Sequence, residues 1–81
     1  MNDAVVNVVI NYLKEYYPDK DFMFSKTVYL DRYVWNYSNR NKYIIIRDVT
    51  NKTYFSLHNL KKSSVLKSQL ELLGLEEREY I

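Results

Sequence analysis

Two polar clusters, "NRN" at 39–41 and "TNKT" at 50–53, constrain this chain most. Each sits between runs rich in aromatic and β-branched residues: Tyr33–Tyr37, Lys42–Val49 and Thr53–His58. Asn tolerates the left-handed backbone of tight hairpin turns, so the spacing predicts two hairpins joined in one meander. Side chains on a strand alternate between faces, which makes that assignment checkable. With Asn39-Arg40 and Asn51-Lys52 as loop residues, Trp35 is expected opposite Ile44, Tyr33 opposite Ile46, and Ile46 opposite Leu57. Tyr33, Trp35, Ile44, Ile46, Phe55 and Leu57 then share a core face. The outward face shows Val34, Asn36, Tyr43, Ile45, Arg47, Val49, Tyr54, Ser56 and His58.

Helical periodicity flanks this sheet. Val5, Val6, Val9, Tyr12, Leu13 and Tyr16 recur at three-to-four-residue spacing up to Pro18, which predicts a helix over about 3–17 capped by Asn2 or Asp3. Val65, Leu66, Leu70 and Leu73 predict a second over about 64–73, with Ser63 or Ser64 as N-cap and Gly74 where a left-handed C-cap belongs. Between the first helix and the meander, residues 22–30 read as an extra strand, with a bend or bulge at Asp31-Arg32. Both helices need to bury an apolar stripe and one sheet face is richer than the other. The expectation is therefore an α+β fold, a two-layer α-β-β-β-α sandwich with an antiparallel sheet of three or four strands and both helices on one face. At 81 residues the chain has room for a single domain, 1–81, whose residues 75–81 form a short acidic tail.

Charge is unevenly distributed. Residues 1–25 carry two cations against four carboxylates, residues 26–70 nine against two, and residues 71–81 one against four, so the overall +2 conceals a strongly basic middle. Lys26, Arg40, Lys42, Lys52, Lys61 and Lys62 fall at expected turns or strand ends, where flexible cations reach a phosphate backbone. Tyr43 and Tyr54 on the outward face offer rings on which bases stack. Val34, Ile45 and Val49 would leave the same face half apolar, a surface suited to a second copy of the chain.

The order α-β-β-β-α, with Lys61-Lys62 entering the last helix, resembles that of double-stranded RNA-binding domains over nearly the whole chain. The resemblance implies duplex RNA as a partner, with Lys61 and Lys62 at the start of that family's lysine motif. Its third lysine falls at Val65 here, and no Gly-Pro-x-His-like loop joins the first two strands.

Chemistry is sparse. There is no cysteine and one histidine, which excludes a disulfide framework, a thiolate nucleophile and the usual Cys/His metal sites. "DKD" at 19–21 reads as turn and strand entry rather than a metal site, and no Gly-rich phosphate loop or nucleophile elbow occurs. No cofactor or metal is expected. His58 shares a face with Arg47, Tyr43 and Tyr54, a set that a small toxin-like ribonuclease could use. The apolar run "AVVNVVI" is short and broken by Asn7, and no basic segment precedes it, so neither a membrane span nor a signal peptide is expected and the cytoplasm fits best. The tail "LEEREYI" reads as a solvated end, or as an acidic docking segment.

These features point to a non-catalytic binding module. Arg40, Lys42, Arg47, Lys52, Lys61 and Lys62 would supply charge, and Tyr43, Tyr54 and His58 flat contacts. The partner would be nucleic acid or a host protein that handles it. Usage rich in Asn, Lys, Tyr and Ile with one alanine matches coding from an AT-rich genome, so a phage or mobile-element inhibitor of a host nuclease system, anti-CRISPR-like, is one expectation. A regulator acting directly on DNA or RNA is another.

Overall fold

Tight turns and β-branched runs produce a meander, as the alternation requires. The computed structural model describes residues 3–79 and 81. It runs α1 (Asp3–Tyr16), β1 (Met23–Thr27), one 3-10 turn (Val28–Leu30), β2 (Arg32–Tyr37), β3 (Lys42–Val49), β4 (Lys52–His58), α2 (Ser63–Leu72) and β5 (Glu76–Glu77). Strands β1 to β4 are antiparallel neighbours in chain order, and β5 joins β4 in parallel as a fifth strand. The fold is α+β. The expected three-strand plan gains a strand at each end, one foreseen at 22–30 and one in the acidic tail.

The first turn behaves as expected. Ser38, Asn39 and Arg40 all adopt positive φ (57°, 51° and 67°) and the Asn41 amide donates to the Ser38 carbonyl at 3.0 Å, so a left-handed loop over residues 38–41 joins the paired Tyr37 and Lys42 in the expected register. Trp35 opposes Ile44 and Tyr33 opposes Ile46. The second turn corrects the expected register. Val49 pairs with Lys52, so the loop is Thr50-Asn51, with Asn51 at φ 67°, and Ile46 opposes Phe55 while Ile44 opposes Leu57. Lys52 belongs to the strand because Asn, not Lys, is the residue that takes the left-handed position without strain. A shift of two residues preserves the side-chain parity, and the core face is the one foreseen.

That face receives both helices. Val5, Val9 and Tyr12 of α1 and Leu66 and Leu70 of α2 cluster with Trp35, Ile44, Ile46 and Phe55. Phe55, Ile44, Ile46, Leu66, Leu70 and Val9 are the largest side chains fully removed from solvent. Asn2, an expected cap of α1, lies outside the described residues. The N-cap of α2 is Lys62 at φ 49°, with Ser63 and Ser64 inside the helix and no side-chain cap bond, which corrects the serine caps expected there. At the other end the amide of Gly74 (φ 90°) donates to Glu71 O and that of Leu75 to Leu70 O. This is a Schellman motif, and it turns the chain so that Leu75 is buried beside Leu70.

Two tyrosines fasten α1 to the entry of α2. The Tyr12 hydroxyl donates to the Lys61 carbonyl, and the Lys61 amide donates to the Tyr17 hydroxyl at 2.8 Å. Burial first, then the neighbouring Tyr17 and Tyr16, push the Tyr12 phenol above its usual value of 10.0. A raised folded value means that the folded chain keeps a proton the unfolded chain loses. This contribution is complete below pH 10 and is lost as pH climbs from there toward the folded value. Tyr12→Phe is therefore expected to cost about 1–3 kcal/mol at neutral pH, because the Lys61 carbonyl loses its partner. The same substitution should remove part of the fall in stability above pH 10, measured by urea titration across the alkaline range.

Candidate nucleic-acid interface

Strand pairing lays the outward side chains in rows. One row runs Thr27, Arg32, Arg47, Tyr54, the next Ser25, Val34, Ile45, Ser56, and the third Met23, Asn36, Tyr43, His58. Arg32 and Arg47 stand directly opposite each other, an arrangement of like charges that destabilises a bare sheet. The Arg47 Nε donates to Leu30 O at 3.1 Å, while Arg32 Nε is buried with no hydrogen-bond partner among the described residues. A third guanidinium completes the group: Arg78, just beyond β5, lies 3.9 Å over the Tyr54 ring. Among the described residues the ion pair recorded is Lys67 with Glu77 at 3.3 Å, so none of the three arginines has a carboxylate within salt-bridge range.

The third row holds the flat surface. Tyr43 and His58 are cross-strand partners whose rings stack at 5.0 Å and 13°. Four residues along β3 separate Tyr43 from Arg47, about 13 Å of extended strand. A groove of about 580 Å³ runs from the stack to Arg78, lined by Tyr43, Ser56, Leu57, His58, Glu77, Arg78 and Glu79. Its acidic rim comes from the tail, which is pinned to the sheet: Arg78 N donates to Phe55 O at 2.8 Å and the Ser56 hydroxyl to Glu79 O at 3.2 Å.

Three expectations change here. Tyr54 is 5% exposed with one ring face taken by Arg78, so it is a support for that guanidinium and not a free stacking platform. Val34 and Ile45 are 4% and 5% exposed, so the half-apolar patch expected to receive a second copy is closed within the chain, leaving Val49 at its edge. The tail is held by backbone bonds to β4, while Glu76, Glu77, Arg78 and Glu79 stay exposed; Tyr80 lies outside the described residues.

The remaining cations divide by position. Lys42 and Lys61 line one small pocket together with Lys20, whose charge the sequence grouped with the acidic N-terminal segment. Lys20 and Lys61 also lie over the Tyr37 and Tyr17 rings, at 5.5 and 5.2 Å. Arg40 in the β2–β3 turn and Lys62 beside Lys61 belong to this end, where Asn59 Nδ2 bonds Asn41 Oδ1 at 2.8 Å. Lys26 sits away from it, over Tyr33 at 5.2 Å. Lys52 stands at the opposite end, next to the β3–β4 turn. The structure thus brings Arg40, Lys42, Lys61 and Lys62 together at one end, and gathers Arg47 with Arg32 and Arg78 on the sheet. Arg32, Arg78 and Lys20 were missed by sequence reasoning.

Among the described residues no three His, Cys, Asp or Glu side chains form a metal-sized group, and no helix is long and apolar enough to cross a membrane. No family model, curated protein or solved structure matches the chain.

Proposed function

We propose that the outward sheet face is a non-catalytic binding surface for single-stranded nucleic acid. Phosphates would sit on Arg32, Arg47 and Arg78, and bases would stack against the Tyr43–His58 pair, while Arg40, Lys42, Lys61 and Lys62 extend the cationic track at the loop end. The observation that carries this reading is the groove joining His58 to Arg78, which sets a ring platform and a guanidinium with no ion pair among the described residues on the same strip of surface, beside Glu77 and Glu79. Phosphate also relieves a defect of the bare fold, because an anion between Arg32 and Arg47 replaces repulsion with two attractions. Single strands are favoured over duplex because stacking needs unpaired base faces.

The test is fluorescence anisotropy with labelled oligo(dT) and oligo(U) over a range of salt. Three phosphate contacts predict a log–log salt slope of about −2, and Arg47→Ala should flatten it by about 0.7. Tyr43→Ala should weaken binding by about 1–3 kcal/mol with the slope unchanged. Absence of binding to either oligonucleotide at low salt overturns the reading, and would move the weight to a nucleic-acid-handling protein, such as a host nuclease, as the target. RNA cleavage that His58→Ala abolishes would overturn the non-catalytic part and establish the ribonuclease alternative.

A further inference from the structure

The two edges of the sheet are treated differently. The edge of β4 is covered by the chain's own tail, through β5 and the Arg78 amide. At the other side β1 pairs, among the described residues, only with β2, and four of its five residues are exposed. Open edges present unpaired amides and carbonyls and are normally blunted by proline, bulges or outward charge. Protection of β1 is slight: it holds no proline, and the ammonium of its one charged residue, the exposed Lys26, leans back over the Tyr33 ring. The apolar side chains here are bare as well, with Met23, Phe24, Val28 and Tyr29 at 72%, 53%, 73% and 85% exposure. Beside them an apolar groove of about 410 Å³ opens between α1 and the sheet, floored by Phe24 and Trp35.

We propose that two copies of the chain pair through β1, antiparallel, about a two-fold axis passing by Ser25. The strand is self-complementary in that register. Ser25 meets Ser25, Met23 meets Thr27, and Phe24 meets Lys26 twice, so each lysine lies beside an aromatic ring and the two lysines are kept apart. Centring the axis on Lys26 instead would set ammonium against ammonium. An antiparallel edge pair has its axis perpendicular to the sheet, so both copies turn the same face outward. The product is one continuous ten-stranded sheet with the two arginine rows on one side and the helices on the other. This pairing is independent of what binds the outward face.

Sedimentation velocity over a concentration series tests it, with an expected limiting mass twice the 9.9 kDa of one chain. Phe24→Lys, at a half-exposed position, should raise the dimer dissociation constant by about tenfold, because two lysine pairs replace two lysine–aromatic pairs. Ser25→Cys supplies a second measurement in a chain that has no cysteine: directly opposed residues have Cβ atoms as close as about 4.5 Å, the upper end of the disulfide range, so a small local adjustment lets mild oxidation give a covalent dimer. Lys52→Cys, at the far hairpin, should not cross-link. A wild-type monomer throughout, or a dimer that neither Phe24→Lys weakens nor Ser25→Cys traps, overturns the proposal. Should Phe24→Lys unfold by circular dichroism, the cross-linking result decides alone.

Discussion

Phe55→Ala is expected to remove at least about a quarter of the folding stability. Phe55 is fully removed from solvent and is the bulkiest such side chain. It stands at the centre of β4 between Ile46 of β3 and Glu77 of β5, beneath both helices. Truncating a buried phenylalanine costs about 3–5 kcal/mol, through lost transfer energy and the cavity left behind. An 81-residue domain has a total stability of about 4–12 kcal/mol at the usual 0.05–0.15 per residue. The loss is thus about a quarter of the stability or more, and a fall in melting temperature of at least about 12 °C should accompany it. Leu72→Ala provides the control, since Leu72 is 86% exposed and its truncation should stay within about 0.5 kcal/mol. Urea titration of the two variants measures the contrast; equal costs would mean that the core lies elsewhere.

How far the sequence foretold this core follows from what is local in it. Period-two alternation between turn clusters needs no knowledge of the rest of the chain, so Tyr33, Trp35, Ile44, Ile46, Phe55 and Leu57 were assigned together, and their face survived a register error of two residues. Gly74 was legible for the same reason, since a lone glycine after a helical stripe has few other uses. Exposure was not local. Parity alone put Tyr54 on the outward face, but only the docked tail decides that its ring is covered, and that docking spans more than twenty residues. Strand β5 consists of two glutamates, poor strand formers, and carried no pattern. The available signal was Leu75, an apolar residue directly after Gly74, in the position where a Schellman motif seeks a contact with its helix. Arg78 was hidden by averaging: summed with Glu76, Glu77 and Glu79 it vanished into an acidic segment, yet it points its charge over Tyr54 and into the basic face. Lys20 was lost in the same way among Asp19 and Asp21.

Removing that tail should also destabilise the fold. A chain ended after Gly74 loses the buried Leu75, the Arg78–Phe55 backbone bond, the Ser56–Glu79 bond and the Arg78–Tyr54 contact. Burying a leucine is worth about 1.5–3 kcal/mol, each hydrogen bond about 0.5–1.5, and a guanidinium over a ring about 0.5–1. The backbone entropy of fixing the segment offsets part of this, and a lowered denaturation midpoint is the expected outcome. The second consequence is kinetic. With β5 gone the edge of β4 opens, and the sheet then presents an unpaired strand at both sides instead of at β1 alone. The shortened chain should lose solubility on concentration while the full chain does not, as light scattering would record. A truncated chain that keeps its denaturation midpoint and stays monodisperse would show that the tail contributes nothing to the fold. Arg78→Ala in the full-length chain separates the two roles of the segment: the Arg78 amide and Leu75 remain, so stability should fall by about 1 kcal/mol at most. Oligonucleotide affinity should fall with it, through the loss of one phosphate contact.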